Sequence, residues 1–284
     1  MKSFSSIKKD LEFNKELSSL LNTMKDIAVS QFRALEQKLK SYDELFSTVD
    51  SFFELIDIEK VEHPFLKPGK NPQAVIAVTS DSGLLGGLNM QIINTAIANL
   101  ERIPGKLIVI GERGRIYAQE ANIPHVAFGG IQDAERYSQA MQLRDYAVGE
   151  VLNGSFSHVR VVYARPISFT VQRVEALNFV PFPAPELKKE NIKKEHIADT
   201  IMESRAEDIV EYLVSAWMGR KLYDIFGLSR LSEFAARFTH LEDSSQRLKE
   251  LDNKMQLEYF RARHELIDRN MRDLFAARLL YGKS

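Results

Sequence analysis

The densest set of chemistry-bearing residues in this 284-residue chain is the string Thr79-Ser80-Asp81-Ser82-Gly83-Leu84-Leu85-Gly86-Gly87-Leu88-Asn89. A glycine turn that opens a helix is a ready place for an anion, because helix N-terminal N–H groups point outward there. The spacing here is G-x-x-G-G, however, and neither G-x-G-x-x-G nor a following G-K-S/T is present. Glu112, just past the next apolar run, stands where a ribose-binding acid would. The stronger reading is a structural turn. Gly83, Gly86 and Gly87 permit tight backbone, Asp81 can accept from turn N–H groups, and Asn89 can help cap the following helix. The six histidines (His63, His125, His158, His196, His240 and His264) show no i, i+4 pair and no H-E-x-x-H, so surface or packing roles are expected. No serine lies in a G-x-S-x-G elbow. Arg237, Arg261 and Arg263 read from pattern alone as an ordinary charged helix face. The expectation is a chain with no catalytic residues, no cofactor and no metal.

Composition narrows the classes further. Cysteine is absent, which excludes disulfides and thiolate chemistry. Apolar residues make up 44% and charged residues 27%, a folded composition, and a formal charge of -1 gives no electrostatic case for nucleic acid. No apolar run is long enough for a signal peptide or a membrane span, so any membrane link is expected through a partner.

Three regions must position these residues. The first, 1–60, carries Phe32, Leu35, Leu39, Tyr42, Phe46, Val49, Phe53 and Ile56 at steps of three and four, with no Gly or Pro before Pro64. That is one apolar stripe on a long helix. The second, 71–185, alternates short branched runs (74–79, 107–110, 159–163, 174–182) with helical stretches (90–103, 133–152), which predicts a small α/β domain with a largely parallel sheet. Residues 187–196 are charged and read as a linker. The third, 198–284, carries Leu231, Phe234, Phe238, Leu241, Ser245 and Leu248, then Met255, Tyr259, Ala262 and Leu266, with Asp252 interrupting the stripe and a bend placed near Gly227. Each stripe needs a cover, and the other helix is the cheapest one. The predicted fold is α/β: a long antiparallel coiled coil of the terminal helices with an inserted small Rossmann-like domain, a rod on a foot.

The glycine string resembles the T-S-D-x-G-L-x-G-G-L-N segment of F-type ATP synthase gamma subunits. Ser232-Glu233-Phe234-Ala235-Ala236-Arg237-Phe238 resembles that family's S-E-x-x-A-R-M stretch. Tyr259, Arg263 and Ile267 fall on its Y-N-x-x-R-Q-x-x-I-T-x-E pattern, and Thr23-Met24-Lys25 with Ala28 resembles its K-A-M-K-x-V-A segment. The resemblance spans essentially the whole chain. It implies a central-stalk rotor that couples ion flow through a membrane c-ring to the state of catalytic beta subunits, with alpha, beta, epsilon and the c-ring as partners and a peripheral place on the cytoplasmic face of the inner membrane. It also implies hexamer contacts at Met24, Lys25, Arg237, Arg263, His264 and Asp268. Departures cluster at those contacts: His264 replaces Gln, Asp268 and Asn270 replace Thr and Glu, Phe238 replaces Met, 29–33 has fewer cations, and Ala277-Arg278-Leu279-Leu280-Tyr281 replaces a small apolar tail. They point to a divergent paralogue from an alternate ATPase. Two rival readings are a structural stalk of another assembly and a nucleotide-binding α/β protein. A third, a membrane-binding coil, lacks the basic amphipathic helix it needs.

Overall fold

The computed structural model describes residues 4–39, 61–67, 69–183 and 204–281, with the side chains of 279–281 left aside. The stripe positions Tyr42, Phe46, Val49, Phe53 and Ile56, the 187–196 linker and the tail side chains of Leu279, Leu280 and Tyr281 lie outside what is described. In chain order the elements are α1 (Phe4–Leu39), β1 (Gln73–Val78), α2 (Leu88–Arg102), β2 (Gly105–Ile110), α3 (Glu112–Glu120), β3 (His125–Phe128), α4 (Arg136–Leu152), β4 (His158–Pro166), β5 (Gln172–Val180) and α5 (Ala206–Tyr281). At ~1.5 Å per residue, the 76 residues of α5 make a helix roughly 110 Å long.

The chain divides into two compact units, one of residues 30–237 and one combining 1–29 with 238–284. In the first, a five-stranded sheet runs in the order β3-β2-β1-β4-β5. The β1–β2, β1–β4 and β2–β3 pairs are parallel and β4–β5 is antiparallel, which gives the mixed, Rossmann-like sheet expected. All six residues of β1 are buried, because both faces of the sheet are covered. Val75 and Ala77 pack with Leu88, Ile92, Ile93 and Ala96 of α2 and Ala118 of α3. Ala74, Ile76 and Val78 belong to the opposite cluster, with Leu143, Ala147 and Val151 of α4 and the α5 residues Val214, Trp217, Met218 and Phe226. Trp217 stands edge-on to Phe179 (5.2 Å) and Phe182 (5.0 Å), which ties the start of α5 to the end of β5. The same unit holds a helix–helix patch in which Phe32 and Leu35 of α1 meet Leu231, Phe234 and Ala235 of α5. Here α5 passes Gly227 as one continuous helix. The glycine makes room for α1, since a Cβ there would lie 2.6 Å from Leu39 Cδ2.

In the other unit the two helices run antiparallel. Phe4 stacks on Tyr259 (4.9 Å), Asn14 Nδ2 reaches Met255 Sδ (3.2 Å) and Lys25 Nζ donates to Glu242 Oε2 (2.6 Å). Ile7, Ala28, Leu241, Ser245 and Leu248 are buried along the seam, and Asp252 lies half-buried on it, accepting from Gln256 at 2.8 Å. The expected continuation of the seam to Leu266 is not found: it ends at Ala262, and every residue from 263 to 278 is exposed. Phe4, the first described residue of α1, stacks on Tyr259, and the burial of α5 fades one turn beyond that contact.

Candidate functional site

The glycine string joins the end of β1 to the start of α2, and it is closed on itself and its neighbours. Thr79 donates through N–H (2.9 Å) and Oγ1 (2.6 Å) to the Ile110 carbonyl, and its Oγ1 accepts from Gly114 N–H (3.0 Å). Asn89 does not cap α2, whose N-cap is Gly87 with no side-chain bond. It is buried, and it accepts from Ser80 N–H (3.2 Å) while donating to Ser80 Oγ (2.8 Å), so it ties the helix back to the strand end. Asp81 likewise reaches past its own turn: Oδ1 accepts from Glu112 N–H at the start of α3 (2.9 Å). Gly86 has φ +58, and the non-glycine Leu84 is held at φ +63 with its side chain exposed. Gly83 leaves space for Arg113, whose Nη2 would stand 3.0 Å from a Cβ, whereas a Cβ at Gly87 would meet only Gln91 at 3.9 Å.

Glu112 forms a two-point pair with Arg115, which holds its carboxyl below the usual range. A ribose-binding role would require that carboxylate to be available. The string is built as a structural joint, with its polar groups spent on the protein itself.

The joint meets α5 through charges. Arg237 Nη2 donates to Ser82 Oγ (2.6 Å), and its guanidinium lies 5.9 Å from the Phe234 ring. One turn earlier, Glu233 is buried and accepts from Arg230 Nη1 (2.6 Å), while Arg230 Nε reaches Asp133 (3.3 Å) in the β3–α4 loop. Burial pushes Glu233 up to about 7, with Arg230 and Arg237 only partly offsetting it and Asp81 adding to it. Burial also lowers Arg237. Sequence reasoning singled out Arg237 and missed Arg230, Glu233 and Asp133. The available signal was a +, −, + pattern at i, i+3 and i+7 beside Phe234, charges placed on a face that also carries core residues.

A carboxyl raised in the folded state binds a proton that the unfolded chain lacks between about pH 4.5 and 7, so its contribution to stability falls as pH rises through that window. Glu233→Gln is therefore expected to gain on the parent by up to ~3 kcal/mol between pH 5 and pH 8. Urea midpoints of both proteins at the two pH values measure this, with other titrating groups cancelling in the difference. A difference that stays constant over that range contradicts it.

The remaining contact candidates divide by location. Lys25 is occupied by Glu242 within its own unit, with its side chain 14% exposed. Met24 is half-buried. Arg263, His264 and Asp268 are exposed on the uncovered end of α5, beside the exposed apolar residues Phe260, Ile267, Met271, Leu274 and Phe275. No carboxylate or other partner meets those three polar side chains among the described residues.

A sequence model of the family described as ATP synthase matches residues 3–277. The chain belongs to the ATP synthase gamma family. The gamma chain of Clostridium perfringens (strain 13 / Type A) is 28% identical over 281 residues, covering 93% of this chain and 95% of the relative. That of Clostridium kluyveri (strain NBRC 12016) is 24% identical over 275 residues, covering 94% of each. In fold the chain is similar to one from the Euglena gracilis mitochondrial ATP synthase, solved as OSCP/F1/c-ring in rotational state 3, with a TM-score of 0.71, 14% identity and coverage of 98% and 94%. A chain of the Tetrahymena thermophila central stalk and c-ring gives 0.60 at 16% identity, covering 80% of this chain and 99% of that one. A gamma chain is the central-stalk rotor subunit of the rotary ATP synthase and is not itself the catalyst. It is a peripheral part of a membrane-bound complex, and no helix among the described residues is long and apolar enough to cross a membrane.

Proposed function

We propose that this gamma chain turns inside a hexamer of alternating alpha and beta subunits, and that the uncovered end of α5 is the surface by which it biases the catalytic beta subunits. The observation that carries this is the run 263–278, exposed throughout, where apolar side chains interleave with Arg263, His264 and Asp268, which have no partner among the described residues. An apolar stripe of that length on a lone helix is the mark of a surface that a partner covers. The α/β unit, with an epsilon subunit, docks on a membrane c-ring at the cytoplasmic face of the inner membrane. Ion flow turns the ring, and the asymmetric shaft presents a different face to each beta subunit in turn. Met24, Lys25, Arg237, Arg263, His264 and Asp268 act as the hexamer contacts, and Asp81, Gly83, Gly86, Gly87 and Asn89 as the joint behind Arg237. Lys25 and Arg237 must exchange or share their present partners, Glu242 and Ser82, to do so. The departures at positions 264, 268 and 270 support a divergent paralogue serving an alternate ATPase.

Co-expression with the alpha and beta chains of the same genome tests the reading. The expected result is a complex that retains all three through size exclusion and hydrolyses ATP. A gamma chain that elutes alone while alpha and beta assemble without it would overturn the proposal and favour a stalk of another assembly.

A further inference from the structure

Away from α5, the α2 face of the sheet is left open near its edge strand. There a surface groove of about 620 Å³ lies between the last turns of α2 and strands β4 and β5. Arg160 of β4 lies at its inner side. Its Nε donates to Asn178 Oδ1 (2.6 Å) and its Nη1 to Asn99 Oδ1, so the guanidinium is held in place by neutral amide oxygens. Asn99 is itself fixed by donating to the Thr95 carbonyl (2.7 Å). Arg102, from the last turn of α2, is a second guanidinium on the same groove, and Asn94 adds an amide.

The lining holds two cations and no carboxylate. Neither arginine has an acidic partner among the described residues. The bland account would make these cations the complement of the negative end of the α2 dipole. Part of that need is met without them, because Gln73 Nε2 donates to the carbonyls of Asn99 (2.7 Å) and Ile103 at the end of the helix. Two guanidiniums, one of them immobilised with a free edge, flanked by amide donors and without counter-charge, match a tetrahedral oxyanion bound bidentately.

We propose that this groove is a binding site for a phosphate group, inorganic or carried by a small phosphorylated compound. The ligand would bridge Arg160 and Arg102 and take a further bond from Asn94 or Asn178. Holding Arg160 in advance removes the ordering cost that a free surface arginine would bear on binding. The proposal is independent of the rotor reading, since no residue lining the groove belongs to α5 or to the proposed hexamer contacts.

The test is a titration of the full chain, at constant ionic strength, with inorganic phosphate, pyrophosphate and ADP, following the arginine Nε–H resonances by NMR. The expected result is saturable movement of the Arg160 and Arg102 signals with phosphate, absent with an equal charge of chloride. Arg160→Gln should weaken binding at least tenfold, Arg102→Gln severalfold, and Arg160→Lys should fall between parent and Arg160→Gln. Tighter binding of ADP or pyrophosphate than of phosphate assigns the site to a phosphorylated compound, and equal binding assigns it to the free ion. If Arg160→Gln does not fold, Arg102→Gln and Asn94→Ala carry the test. Shifts that fail to saturate, or that persist unchanged in the arginine variants, would overturn the proposal.

Discussion

Gly111→Ala is expected to lower the unfolding free energy by roughly 3–5 kcal/mol. Gly111 links β2 to α3 at φ +95 and ψ 145, a conformation closed to side chains. Strain of that kind costs about 1–3 kcal/mol. A Cβ would also lie 2.6 Å from the Thr79 carbonyl oxygen and 2.9 Å from the Ser80 carbonyl carbon, both backbone atoms of the joint with α2. Backbone cannot rotate away as a side chain can, so either the sheet end or the glycine string must move. Two controls set the scale. At Gly129 a Cβ would meet nothing within 4 Å, so Gly129→Ala should change little. Gly149 is interior to α4 with the same open space, so Gly149→Ala should stabilise by up to ~1 kcal/mol. Urea unfolding of the three variants decides the matter, and equal midpoints for Gly111→Ala and Gly149→Ala would show that the joint is not constrained as described.

The second large effect concerns coupling and leaves the fold intact. Removing both guanidiniums in Arg237→Ala/Arg263→Ala should slow coupled ATP synthesis in the assembled complex by about tenfold or more. Shifting a two-state partner from 1:99 to 99:1 requires about 5.5 kcal/mol of differential contact, and a hydrogen bond to a charged group supplies about 1.5–3. Two such contacts are therefore a substantial share. The isolated double variant should stay folded, because Arg263 is exposed and Arg237 is only half-buried. Ser82→Ala separates the roles of Arg237: it removes the internal bond and keeps the cation. If Ser82→Ala reproduces the loss, Arg237 acts through the glycine joint alone, and if the double variant couples normally the contact assignment is wrong.

Much of this architecture was legible in the sequence because its elements follow period and burial. The run AVIAVT reads as a strand since both faces of β1 are covered and every position is apolar or small. β3 was missed because it has four residues at a sheet edge, only partly buried, without alternation. α3 was missed because Gly114 sits inside it, and that glycine answers to tertiary contact: a Cβ there would press on Val109 and on Thr79 of the joint. The apolar stripe of α5 was read correctly as a face but extended too far. Periodicity names the side of a helix suited to burial and says nothing of how far a partner covers it, and here burial ends at Ala262. The glycine string was recognisable as a joint, yet Asn89 and Asp81 bond across to other segments, which local turn rules do not foresee. The pairing of Lys25 with Glu242, distant in sequence, could be seen only once the antiparallel register was known.

One of the two compact units is assembled from both ends of the chain, residues 1–29 and 238–284. A ribosome releases these segments far apart in time. At about 5–20 residues per second, the interval between them is roughly 10–40 s. Throughout it the early segment has no mate, and the faces bearing Ile7 and Ala28 are bare. Nascent chains of this kind depend on holding factors, or on an early partner, to escape association between neighbouring polysomes.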